Sequence, residues 1–353
     1  MSVRALASIV AVGARTPLGL DARQTGFLLR AGFAAIGEAP LGEGGAPIAF
    51  CRQTALDASL MGFERVIALA EPALRELLRD LRATTVVRVK LLLCVDPPDP
   101  SQPHASEPVA HDLLAIARRE YPNATLEIAA RGEASACFAL PRALAALDSR
   151  QLDCVILGGV HSAYDALAIA RLAEGDRLYG NDHLDAILPG ESAAFVALVA
   201  PSLAARRNTA LAHVAGMGSA IDEARFSNDV PAALARGATA ALRAATQPLL
   251  DGALRAGWVL SDIAFEVWRQ REWQSLIVRA ADVLGPPYQL DCPAQRIGSL
   301  GAAALPLSLA LACEAYRAGY APSPFALALA GSEAGERGAI VVAGPAPSSR
   351  GGG

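Results

Sequence analysis

Aromatic residues make up only 5% of this 353-residue chain, too few to build a core around large rings. The interior must therefore come from small and aliphatic side chains, which suits helices packed closely on a sheet. Charge of one sign is equally scarce. The 31 basic residues, almost all arginine, stand against 35 acidic ones for a net charge of −4, which leaves no basic face for phosphates and excludes nucleic acid as a partner. No apolar run reaches the roughly 18 residues of a membrane span without turn residues. The opening "MSVRALASIVAVGARTPLG" has a short apolar run broken by Gly13 before a leader could end in a cleavage site, and it reads as a first strand. The expectation is a soluble, cytoplasmic protein.

The cysteines, Cys51, Cys94, Cys137, Cys154, Cys292 and Cys313, are far apart and form no C-x-x-C pair. They read as buried thiols in a reducing compartment rather than a disulfide scaffold. The histidines, His104, His111, His161, His183 and His213, show no metal-ligand spacing either, so neither a metal nor a cofactor is expected. The turn Gly13–Gly19 follows a strand but lacks both G-x-G-x-x-G and the lysine of a phosphate loop.

What the chain does have is apolar residues, 53% of the total, arranged as short runs alternating with longer helical patterns. That is the signature of parallel strands joined by crossover helices. The expected strands are 7–14, 86–96, 125–130, 154–159 and 193–200, then 210–219, 262–268, 287–291, 324–331 and 338–344. A helix is expected at 62–81, with Val66, Leu69 and Leu74 on its apolar side and Pro72 as a kink or break. Two sets of five strands suggest an internal duplication: one half at 1–205, a second at 206–344, and a Gly-, Pro- and Ser-rich tail at 345–353 expected to be disordered.

Five islands in order carry a resemblance: "VAVGARTPLGLD" (10–21), "GEASACFALPRALAALDSRQLDCVILGG" (132–159), "LPGESAAFVALV" (188–199), "RIGSLGAAALPLSLALA" (296–312) and "GAIVVAG" (338–344). Together they resemble the β-ketoacyl synthase family of the thiolase superfamily. The resemblance implies an α/β thiolase-like fold: two similar halves, each with a mixed five-stranded sheet, with helices between and outside in five layers (α-β-α-β-α).

The family's chemistry uses a cysteine thiolate at a helix N-terminus, two histidines that stabilise developing negative charge, and a supporting lysine. Matched island by island, the cysteine position falls on Glu133, the first histidine on Arg269, the lysine on Pro293 and the second histidine on Gly298. The residues "QREW" (270–273) replace a glycine-threonine run that faces the carrier arm in the family. The resemblance thus implies a scaffold without its condensing chemistry. Cys137, one helical turn beyond Glu133, His183 in "YGNDHLD" and Glu191 in "PGESAA" are the remaining candidates for any other chemistry.

Two classes of function follow. One is a catalytically inactive binding or assembly protein. It would form a homodimer, or a heterodimer with an active synthase in the manner of a chain-length factor, through the strand at 125–130, or it would bind a protein client such as an effector or adaptor of type VI secretion. The other is an acyl-transferring, decarboxylating or condensing enzyme of fatty-acid or polyketide type with altered chemistry, drawing on Glu133, Cys137 or His183.

Overall fold

A computed structural model describes residues 3–98, 106–180, 182–228 and 230–345. The first half runs β1 (Ala7–Arg15), α1 (Ala22–Arg30), β2 (Gly37–Ala39), β3 (Ile48–Phe50), α2 (Gly62–Leu81), β4 (Val89–Val95), α3 (Ser106–Glu120), β5 (Thr125–Ala130), α4 (Ser135–Asp148), β6 (Cys154–Ser162), α5 (Ala166–Glu174) and β7 (Glu191–Val199). After α6 (Pro201–Arg207) come β8 (Ala212–Ile221), α7 (Arg236–Asp251), β9 (Ala256–Ser261), α8 (Val267–Arg279), β10 (Leu284–Asp291), α9 (Ala294–Ile297), α10 (Ala304–Ala318), β11 (Phe325–Gly331) and β12 (Glu336–Ala343).

Ten strands line up as β10-β9-β11-β12-β8-β1-β7-β6-β4-β5, and β2 and β3 form a separate hairpin. From β1 outward the pairings with β7 and β6 are antiparallel, and those with β4 and β5 parallel. From β8 outward, β12 and β11 are antiparallel, then β9 and β10 parallel. The second half thus repeats the strand order and direction of the first. The two five-stranded units meet along a short antiparallel ladder, Ala7–Ile9 against Ala212–Val214.

Both faces of the sheet are covered, which explains why its strands read as nearly continuous apolar runs instead of alternating ones. Along β7, Ala194, Val196 and Leu198 join a core shared with α4 and α10, while Ala193, Phe195, Ala197 and Val199 face α2 and α3. The second half does the same, with α7 and α8 on its outer face. The layers are therefore helix, sheet, helix, sheet, helix.

The expected helix at 62–81 and the strand at 125–130 have the anticipated bounds. Pro72 lies inside α2 without ending it. The expected strand at 262–268 is displaced: the strand is β9, which ends at Ser261, and α8 begins at Val267. Alternating apolar residues in "DIAFEVW" imitate a strand, whereas β9 carries Gly257 in its interior and so weakens its own signal. Of the tail, residues 346–353 lie outside the described residues, while the Gly344 N–H still bonds to Pro324 O.

Close approach of helix to sheet recurs at matching places. A Cβ on Gly13 of β1 would stand 2.0 Å from Ala73 O of α2, and one on Gly216 of β8 would stand 2.0 Å from Ala245 O of α7. Backbone cannot move aside as a flexible side chain can. Gly13→Ala and Gly216→Ala should each cost about 1–3 kcal/mol through overpacking. Denaturant unfolding checks this, and midpoints equal to wild type in both variants would contradict it.

Candidate functional site

At the carboxyl ends of β4, β5 and β6 the chain turns into loops that meet the N-terminal ends of α4 and α10. Gly132, in the left-handed region at φ +65°, turns β5 into a short 3-10 segment, Gly132–Ala134, that leads directly into α4. Ser332 holds this turn, donating to Arg131 O at 2.5 Å and accepting from the Ala134 N–H at 3.3 Å.

Glu133 thus stands where a helix begins, and Arg269 of α8 reaches it, with Nη2 3.1 Å from Oε1. Arg269 is buried and also bonds to Glu266 (2.9 Å), Asp262 (3.1 Å) and Gly331 O (2.5 Å). Burial would lower the Arg269 pKa, but Asp262, Glu266 and Glu133 raise it above its ordinary value. Burial pushes the Glu133 carboxyl up to about 7, against the lowering effect of Arg269, with the charges of Asp262 and Asp96 adding to the rise. The cavity beside Arg269, bounded by Asp262, Glu272, Trp273 and Arg337, holds only about 40 Å3, room for a few waters and not for an acyl chain.

The residue that leaves β9 is Asp262, whereas Arg269 belongs to the first turn of α8 and approaches from the side. The segment "QREW" is likewise helical, continuing α8. Pro293 precedes α9 and lines an open cavity of about 560 Å3 between α1, β9, β10 and α10. Gly298 has φ +77°, and a Cβ there would stand 2.7 Å from both Gly190 Cα and Pro189 O. No side chain, histidine included, fits that backbone without displacing the 189–190 segment.

No protein-family model matches the chain, and no curated relative matches it. Solved structures do. A chain of a type II PKS acyl-carrier protein in complex with its ketosynthase superposes with a TM-score of 0.75 at 14% identity, covering 98% of this chain and 100% of that one. The ishigamide ketosynthase/chain length factor gives 0.74 at 15%, covering 98% and 100%. A β-ketoacyl synthase from Burkholderia phymatum STM815 gives 0.72 at 14%, covering 97% and 100%. The chain has a ketosynthase fold of the thiolase type.

Within that ketosynthase fold, Glu133 and Arg269 come together, while Pro293 and Gly298 offer no reactive group. The three remaining candidates have other surroundings. Cys137 is fully buried in α4, 3.7 Å from Ala339 O, with burial pushing its thiol up to about 12. Glu191 is fully buried, with both its oxygens bonded to Arg65 (2.6 and 2.7 Å) and further bonds from the Gln53 N–H and the Ser162 hydroxyl. His183 is half-exposed, 3.9 Å from the exposed Asp176.

The same end of the fold carries a cluster that sequence reasoning did not assemble. His161 Nδ1 lies 2.6 Å from Asp96 Oδ2, and its Nε2 lies 3.0 Å from Ser299 Oγ. Burial lowers the His161 pKa, but Asp96, with the charges of Glu133 and Glu191, raises it above the ordinary value. The available signal was position alone: Asp96 immediately follows β4, His161 lies near the end of β6, and Ser299 adjoins Gly298.

Glu133 has a measurable signature. Because its folded value lies above the ordinary carboxylate value of roughly 4.3, the folded state holds the proton more tightly than the unfolded chain. Stability therefore falls as pH rises from that range to about 7. Glu133→Gln should lose the part of this fall that Glu133 contributes. Glu76, also raised to about 7, contributes to both proteins, so the difference between them isolates Glu133. Denaturant unfolding from pH 4 to 8 reads it, and parallel curves for the two proteins would contradict the assignment.

Proposed function

We propose that this protein is a non-condensing member of a ketosynthase-type assembly, a binding partner whose condensing site has been converted into a structural ion pair. The observation that carries this reading is the Glu133–Arg269 contact at 3.1 Å. A carboxylate at the helix N-terminus cannot accept an acyl group as a stable thioester, and the arginine is committed to three acids. Condensation also needs electrophilic groups that stabilise the enolate and oxyanion, and Pro293 and Gly298 supply none.

The pairing surface of this reading is β5. It is the last strand of the sheet order, with one side bonded to β4, and Ile128 on it is 37% exposed. An edge strand of this kind invites pairing with another strand. One structural neighbour is described as a ketosynthase/chain length factor and another as a ketosynthase with its carrier protein. These descriptions support a synthase subunit, or a second copy of this chain, as the partner. No helix among the described residues is long and apolar enough to cross a membrane, and none among them forms a group of three or more ligands that could hold a metal.

Affinity capture from the native host, with mass spectrometry of the eluate, should return a ketosynthase-type subunit or this chain alone as a dimer. Recovery of a secretion effector or adaptor instead would replace the synthase version with a client-binding one. Ile128→Lys should weaken the assembly at least tenfold in sedimentation analysis while leaving the far-ultraviolet circular dichroism unchanged. Incubation with malonyl and acyl thioesters should give neither decarboxylation nor an adduct on Cys137 by intact mass. A Cys137 adduct would restore the condensing-enzyme reading.

A further inference from the structure

Asp96, His161 and Ser299 come from three separate segments, and each is fixed by contacts of its own. The Ala302 N–H donates to Asp96 Oδ1 at 2.8 Å, which leaves Oδ2 for His161 Nδ1 at 2.6 Å. Ser299 is anchored through its N–H to Leu188 O at 2.8 Å. The imidazole lies against Gly301, where a Cβ would stand only 2.3 Å from Nδ1, so the glycine makes room for the ring. With the Nδ1 proton held by the Asp96 carboxylate, Nε2 is left as the acceptor for the Ser299 hydroxyl 3.0 Å away. Solvent reaches the group: the Asp96 side chain is 40% exposed and that of His161 16%.

The geometry points to a hydrolytic centre in which Ser299 is the nucleophile, His161 the general base and Asp96 the positioning residue, acting on an acyl ester or thioester. Nucleophile, base and orienting acid stand in the order and at the distances that define such triads on unrelated folds. The Ser299 oxygen attacks the acyl carbonyl carbon and its proton passes to His161 Nε2. The bond from carbon to the leaving oxygen or sulfur then breaks, and His161 returns that proton to the leaving group. Water repeats the sequence on the serine ester, releasing the carboxylic acid and restoring the hydroxyl. This chemistry uses neither Glu133 nor Arg269 and needs no partner subunit, so it stands or falls apart from the assembly role.

The test uses the full chain with a fluorophosphonate probe, followed by peptide mapping. Turnover is measured separately on p-nitrophenyl butyrate and on the butyryl thioester of N-acetylcysteamine. The expected result is a single adduct on Ser299 and turnover of at least one substrate, with the two arms assigning ester or thioester. Ser299→Ala and His161→Gln should each lose about 10³-fold or more in kcat/KM. The wild-type rate should rise with pH through the His161 titration, which burial lowers but which Asp96, with the charges of Glu133 and Glu191, places above its ordinary range. Asp96→Asn should lower kcat and move that pH profile downward, a shift that a merely structural role would not produce. Ser299→Cys keeps the test open if the alanine variant does not fold: its thiol should react with iodoacetamide at least tenfold faster than in the double variant with His161→Gln. No adduct on Ser299, an adduct without turnover of either substrate, or a Ser299→Cys reactivity indifferent to His161 would overturn the proposal.

Discussion

α4 and α10 lie between the two halves of the sheet, and α10, covered on every side, must be apolar nearly all round. Every residue of α10 from Ala304 to Ala315 is buried, and α4 buries Ala136, Cys137, Leu140, Ala143, Leu144 and Leu147 in the same core. A helix as enclosed as α10 presents polar groups mainly at its ends, whereas α4 keeps Arg142 on an exposed face. The strands beside these helices end in loops at the same place, and Glu133, Ser299 and their partners are the polar groups gathered there. Enclosure also explains the charges: a carboxylate at the mouth of a desolvated core needs a fixed counter-charge. Arg269 meets that need by spreading one guanidinium over Glu133, Asp262 and Glu266.

The same enclosure decides what the site can do. In the chemistry that the resemblance implies, a thiolate nucleophile would stand at the start of α4, whereas the thiol that α4 does carry lies a turn deeper against β12, fully buried beside Gly338. The imidazole that the site does carry, His161, comes from β6 and not from the loops where the resemblance places the family's histidines.

Much of this architecture was legible in the sequence because buried strands and enclosed helices leave a strong pattern. Strand runs such as "TLEIAA" and the helix at 62–81 could be bounded from periodicity alone. β9 could not, since Gly257 breaks its run while the loop after it mimics a strand. At the site, the resemblance could point to Glu133, Arg269, Pro293 and Gly298 by motif position alone. The pairing of Glu133 with Arg269 was not, because 136 residues separate them. Asp96, His161 and Ser299 escaped for a similar reason: each is unremarkable in its own segment, and only the parallel neighbours β4 and β6, with the entrance to α10 beside them, bring them into contact.

The ladder between β1 and β8 spans three residue pairs, few hydrogen bonds for a junction between two halves of this size. The halves are joined far more by the helices they share than by that seam. Neither half can separate from the other without exposing one side of both α4 and α10 to water. Despite its duplicated topology, the chain should therefore unfold as one cooperative unit, its two repeats as dependent on each other as the two slices of a sandwich glued by the filling.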